Sequence, residues 1–175
     1  MVAFTSPRRS LERPSWLPEA VSSRLDVVAI LFEEGIPAGI FGAYFDLGPA
    51  VQWIPGRGVK GFLSIGRTGL QGIIGIDPAT GIVEEIVSPD VPEVIFVNTT
   101  LAAFVETVEA VEARFPFYDA DATDEAIDAA SDDLLEIITR IDPDAAVPDR
   151  YWSTFVDDAR MGDLSTQAVT SFHTS

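Results

Sequence analysis

The stretch from Phe62 to Phe104 reads FLSIGRTGLQGIIGIDPATGIVEEIVSPDVPEVIFVNTTLAAF, and its reading decides the fold. Four apolar runs, Phe62-Leu63-Ser64-Ile65, Ile73-Ile74-Gly75-Ile76, Ile82-Val83-Glu84-Glu85-Ile86-Val87 and Val94-Ile95-Phe96-Val97, have strand length and are separated by turn residues. Asp77-Pro78-Ala79-Thr80-Gly81 joins two of them: Pro78 presets φ, Gly81 supplies the left-handed bend, and Asp77 caps the turn. After Val97 the period changes from two to 3.6. Asn98-Thr99-Thr100 opens an amphipathic helix, with Asn98 as its cap, that aligns Leu101, Phe104, Val105, Val108, Val111 and Phe115 until Pro116 ends it.

Working outward, Gly66, Gly69, Gly72 and Gly75 recur every third residue and invite comparison with a phosphate-cradling loop. A dinucleotide fingerprint needs its glycines between a strand and a helix, and a P-loop ends in Gly-Lys-Ser/Thr; here a strand follows and no Lys is present. The glycines instead suit a tight connection and close approach of neighbouring strands. Towards the C-terminus, a helix is expected from about Asp124 to Ile141, stacking Ile127, Ala130, Leu134, Ile137, Ile138 and Ile141 inward before Pro143. Asp121 or Thr123 is its expected cap. A third helix, from near Pro148, aligns Trp152, Phe155, Val156 and Ala159 ahead of Gly162. Towards the N-terminus, Pro18-Glu19-Ala20 opens a helix running to about Phe32 with Gly35 as its stop. Residues 35–61, with seven glycines and three prolines among large apolar side chains, predict short strands and close turns.

A helix, then consecutive strands, then helices predict an α+β domain with a mainly antiparallel sheet. The expected organisation is a loose arm over residues 1–15, one domain over 16–164 and a polar tail over 165–175. No apolar run approaches the roughly 18 residues needed to cross a bilayer, and Met1-Val2-Ala3-Phe4 lacks a signal-type apolar region, so a cytoplasmic location is expected. The absence of cysteine removes disulfides, thiolate nucleophiles and Cys-type zinc sites.

The net charge is −17, with 11 basic residues against 28 acidic ones, which argues against nucleic acid and anionic membrane as partners. Residues 1–32 carry +1, residues 33–118 carry −7 and residues 119–163 carry −11. Such a field speeds association with a basic partner by roughly ten- to a thousandfold at low salt; genome composition is the alternative reason for the total. Asp119-Ala120-Asp121-Ala122-Thr123 begins like a calcium loop, but Asp124 stands where Gly is needed and Ala130 where a bidentate Glu is needed, so no metal is expected. No cofactor is expected either. For catalysis the chain offers only His173, in the tail, and Lys60; the acids Glu84, Glu85, Asp90 and Glu93 near strand ends read as solvated surface charges. No catalytic residue is assigned.

Leu63-Ser64-Ile65-Gly66, Ile74 through Val83, Phe96 through Phe104, Phe117-Tyr118-Asp119, Ile141-Asp142-Pro143-Asp144-Ala145 and Tyr151-Trp152-Ser153 follow one another ahead of Gly162. This series resembles the SUKH superfamily of bacterial toxin-immunity proteins, most closely its fourth subfamily, over about residues 60–162; residues 1–58 match loosely. The resemblance implies a curved antiparallel sheet flanked by helices, and a protein that binds and neutralises a toxin, often a nuclease or deaminase. It brings no catalytic residues. Gly66, Asp77, Gly81, Asn98, Asp142, Pro143 and Trp152 are the expected structural positions, as turns, a helix cap and a buried anchor.

The expected mechanism is occlusion, with an acidic face docking on a basic nucleic-acid-binding cleft of the toxin. The candidate contacts are Asp128, Asp132, Asp133, Glu136, Asp157 and Asp158, each of which also reads as part of an ordinary solvated helix face. Exposed aromatics such as Tyr44 or Trp53 are alternative anchors. A regulatory or scaffold module of the same fold, and a small carboxylate-dependent hydrolase, are the competing functions.

Overall fold

The computed structural model describes residues 6–40, 44–55, 61–69, 71–87 and 93–165. His173, Lys60, Asp90 and all of the expected tail except Ser165 lie outside these residues. Strands β1 (Arg8–Arg9) and β2 (Ile36–Pro37) form a small antiparallel pair. Strands β3 (Gly39–Ile40), β4 (Phe45–Ile54), β5 (Phe62–Thr68), β6 (Gly72–Ile76), β7 (Val83–Ile86) and β8 (Val94–Asn98) form a six-stranded antiparallel sheet in chain order. The sheet is curled into a half-barrel and accompanied by five helices, an α+β fold as expected.

Short turns dictate this topology, because each strand can pair with its predecessor without a crossover. The β6–β7 turn forms as its chemistry requires: the Gly81 N–H donates to the Asp77 carbonyl at 2.7 Å, and Asp77 Oδ1 accepts from the Ala79 N–H at 2.7 Å. Gly81 has φ of +80°, the left-handed value that favours glycine. Across the sheet, Leu63 stands opposite Ile76, Ile76 opposite Val83, and Val83 opposite Asn98. The next row runs Gly66, Ile74, Glu85, Ile95. Since alternate residues share a face, both rows belong to the side of the sheet on which Leu63, Ile74, Ile76 and Val83 are buried.

Three helices close over the core. Helix α3 (Leu101–Glu112) buries Leu101, Phe104, Val105, Val108 and Val111. Helix α4 (Asp124–Ile141) buries Leu134, Ile137 and Ile138, and α5 (Tyr151–Arg160) buries Trp152, Phe155, Val156 and Ala159. The core rings meet edge to face, Phe45 with Phe104 at 5.1 Å and Trp152 with Phe155 at 5.7 Å.

Several expectations change in detail. The helix expected from Pro18 to Phe32 is divided into α1 (Glu19–Ser22) and α2 (Leu25–Ala29), with a π-helical turn over Ile30–Glu34 ending at Gly35. The break falls at Arg24, whose backbone leaves helical geometry while its guanidinium donates to the Thr80 carbonyl at 3.0 Å; a tertiary contact overrides local propensity. In residues 35–61 the expected short strands appear as β2 and β3, but they are followed by one ten-residue strand, β4, whose pairing with β5 slips between Leu47 and Gln52, around Gly48-Pro49. Helix α3 stops at Glu112, short of Phe115, and α5 starts at Tyr151 rather than near Pro148.

Within the arm expected over residues 1–15, the described residues from Ser6 onward make contacts with the rest of the fold. Leu11 is buried and its N–H donates to the Leu31 carbonyl at 2.9 Å, while Arg8 and Arg9 pair with β2. Ser6 donates its N–H to Glu112 at 3.0 Å and its hydroxyl to the same carboxylate at 2.6 Å. A two-residue strand gives no periodicity to read, and what fixes it is contact with helix α3, about a hundred residues away in sequence, where Ser6 meets buried Glu112 and Arg8 meets exposed Glu109.

Candidate functional site

The acidic residues singled out in the sequence come from two adjoining helices. Helix α4 begins at Thr123, whose side chain accepts from the Ala126 N–H and settles the choice of cap against Asp121. With its apolar stripe turned to the core, the opposite side of α4 presents Asp128, Asp132, Asp133 and Glu136. Helix α5 packs beside it and adds Asp157, exposed, and Asp158, half-buried.

Cations of the chain itself hold this surface in place. Arg160, at the C-terminal end of α5 where a positive charge suits the helix dipole, donates to Asp132 at 2.9 Å and lies 3.8 Å from both Asp128 and Asp157. Arg114, just past α3, pairs with Asp133 at 2.5 Å. Asp158 is separate: it accepts from the Tyr44 hydroxyl at 2.9 Å. Glu136 has no such partner among the described residues. Exposed pairs of this kind contribute only about 0–1 kcal/mol to stability each. Their consequence is geometric, since they fix rotamers of carboxylates that remain in water.

Tyr44 links the acidic face to a cleft of about 310 Å³, lined by Tyr44, Thr68, Gly69, Gln71, Gly72, Glu85, Val87 and Tyr151. Its walls are tied together: the Tyr151 hydroxyl donates to the Tyr44 carbonyl, and the Tyr44 ring packs edge-on against Phe155 at 4.7 Å. Desolvation, then the hydrogen bond to Asp158, pushes the Tyr44 hydroxyl pKa far up, so it stays a donor. Among the lining residues, Glu85 accepts from the Thr68 hydroxyl. Burial raises its pKa above the ordinary 4.5, with the Thr68 hydrogen bond opposing. A Cβ at Gly72 would stand 1.9 Å from Thr68 Oγ1 and 2.6 Å from Glu85 Oε1, so glycine there makes room for this pair.

Glu85 therefore corrects the expectation that the acids near strand ends are solvated surface charges. The signal was present in Val83-Glu84-Glu85-Ile86, where strand alternation places Glu85 on the side of Val83 and turns Ile86 the other way. Trp53, the other aromatic considered as an anchor, is 37% exposed and lies away from the cleft, on β4.

The residues given structural roles form a buried polar knot. Asn98, fully buried, accepts from the Trp152 indole N–H at 2.8 Å and donates to Asp142 Oδ2 at 3.0 Å. The same Asp142 oxygen accepts from the Thr99 N–H at 2.7 Å and from its hydroxyl at 3.1 Å. Asn98 is thus not the helix cap expected; Thr100 is, accepting from the Ala103 N–H at 3.1 Å. Pro143 follows Asp142 at the end of α4, and Gly66 leaves space for the Phe45 ring. The knot joins β8, α4 and α5.

Among the described residues no group of three or more His, Asp or Glu side chains could hold a metal ion. No described helix is long and apolar enough to cross a membrane. A family model described as SUKH-4 immunity protein matches residues 2–158, a span that extends the sequence resemblance of residues 60–162 to the N-terminal part of the chain. Comparison with curated proteins gives no match, and neither does comparison with solved structures.

Proposed function

Because the chain belongs to the SUKH-4 immunity protein family, which supports an immunity role, we propose that it binds a cognate bacterial toxin and neutralises it by occlusion. The toxin acts on nucleic acid, as a nuclease or deaminase, and the acidic face of α4 and α5 covers its basic cleft. The observation that carries this reading is the set of exposed carboxylates Asp128, Asp132, Asp133 and Asp157, held in a fixed arrangement by Arg160 and Arg114. A surface that must face phosphate-binding Lys and Arg needs negative charge, and fixed rotamers reduce the ordering cost of binding. Among the described residues Glu85 is the one carboxylate lining the cleft beside this face, which gives no support to a two-carboxylate hydrolysis there.

The test is co-expression with each nuclease- or deaminase-type toxin found encoded near this gene. The wild-type chain should rescue growth and co-purify with one of them at physiological salt. Asp128→Lys combined with Asp132→Lys should weaken the complex by at least about a hundredfold while the isolated protein stays folded, since juxtaposed like charges cost several kcal/mol. A wild-type chain that neither binds nor protects against any of them sinks the reading.

A further inference from the structure

We propose that the cleft between the β5–β6 hairpin and the N-terminal end of α5 is a pocket for one guanidinium or ammonium side chain of the bound toxin, received by Glu85. The identity of the partner rests on the immunity reading above; the chemistry of the pocket rests on the cleft itself. Strand register places Glu85 on the core side of the sheet, in the row Gly66, Ile74, Glu85, Ile95, where an apolar residue would ordinarily stand. There it is half-buried, accepts one neutral hydrogen bond from Thr68, and forms no ion pair among the described residues. A carboxylate withdrawn from water without a cation is costly, and a charge-assisted hydrogen bond from an incoming cation offsets that cost.

The surroundings select the same ligand. Glycine at position 72 keeps open the space beside the Thr68–Glu85 pair that any larger residue would fill. A volume of about 310 Å³ suits a single long side chain, at the lower end of ligand-binding clefts. Tyr44 and Tyr151 line the cleft, and aromatic lining is compatible with a cation, which is attracted to a ring where it meets the π-face. Tyr44 also bonds to Asp158, so the pocket opens beside the acidic face that recruits the toxin. The acidic face would govern encounter, and the pocket would fix register by taking one anchor.

The experiment has two arms on the full chain. The first titrates it with N-acetyl-arginine amide, N-acetyl-lysine amide and the uncharged isostere N-acetyl-citrulline amide, reading the amide NMR signals of Thr68, Gly72 and Glu85. The charged probes should shift these signals, with citrulline at least about tenfold weaker, and Glu85→Gln should abolish the difference. The second measures toxin affinity for Glu85→Gln, which keeps the acceptor for Thr68, and for Gln71→Arg, which places a competing cation at an exposed position on the rim. Each should lose about tenfold or more, as expected when one partner of a desolvated charge pair is removed or occupied. Unchanged toxin affinity in both variants overturns the pocket and leaves the immunity reading intact. A wild-type chain that binds the charged probes but no toxin overturns the immunity reading and returns the pocket to a free guanidine or amine.

Discussion

Asn98 sits at the junction of sheet and helices, and its side chain is satisfied on both ends, by the Trp152 indole and by Asp142. Asn98→Ala would leave a buried N–H without an acceptor and remove a donor from a buried carboxylate. The orphaned N–H costs about 1–3 kcal/mol, and the bond lost from Asp142, which keeps its two from Thr99, about 1.5–3 kcal/mol, so urea unfolding should show a loss of about 3 kcal/mol with little change in slope. Trp152→Phe, which removes the donor from the other side, should be non-additive with Asn98→Ala; strict additivity would disprove the shared bond. The sequence reading made Asn98 the cap, whereas Thr100 takes that role. Local chemistry could not show this, because Asn98 is engaged by a tryptophan 54 residues later. At Glu85 the opposite effect should be seen. Its folded pKa is raised, so the folded chain binds this proton more tightly than the unfolded chain does, and the carboxyl's contribution is lost as pH rises from 4.5 through the folded value. The titratable neighbours are Tyr44 and Tyr151, both held neutral as donors. Glu85→Gln should therefore raise the thermal midpoint by about 1–3 °C at pH 7 and by almost nothing at pH 4. An equal offset at both pH values would rule out desolvation as the cause.

Elements differ in how much of them could be read. Helix α4 was legible to the residue, from Asp124 to Ile141, because its cap, its apolar stripe and Asp142-Pro143 all agree. The sheet was legible for the same reason, since turn chemistry and strand length point one way. The N-terminal segment was not, as its order comes from contacts with α3. Two of these contacts differ in kind. Ser6 meets Glu112 in a place where the carboxylate is 1% exposed, whereas Arg8 meets Glu109 with both side chains about 40% exposed. Glu112→Ala should cost about 1–3 kcal/mol, from the two lost hydrogen bonds to a charged group. Arg8→Ala should cost under about 1 kcal/mol, the range of an exposed pair. Chemical denaturation of the two variants side by side checks the ranking, and a reversal would mean that the segment is held by charge rather than by burial.

At the scale of the whole molecule the total charge of −17 was plain in the sequence, but its pairing was not. The sequence shows three arginines among the fourteen acids of residues 119–163 without showing that Arg160 sits amid Asp128, Asp132 and Asp157. That placement separates two roles of the acidic face which composition alone confounds. If the face acts through its long-range field, removing Arg160 makes the field more negative and should speed encounter with a basic toxin. If it acts through the fixed arrangement of its carboxylates, removing Arg160 frees their rotamers and should hasten dissociation. Both follow from the same substitution, and salt divides them, because the Debye length falls from about 10 Å at 0.1 M to about 3 Å at 1 M. For Arg160→Ala the association rate at low salt should rise about two- to fivefold, with the advantage gone by 0.5 M; the dissociation rate should rise at every salt concentration. Stopped-flow association and surface dissociation measurements read the two terms independently. An association rate that ignores salt in both proteins would remove steering from the mechanism and leave contact geometry alone to explain how the toxin is held.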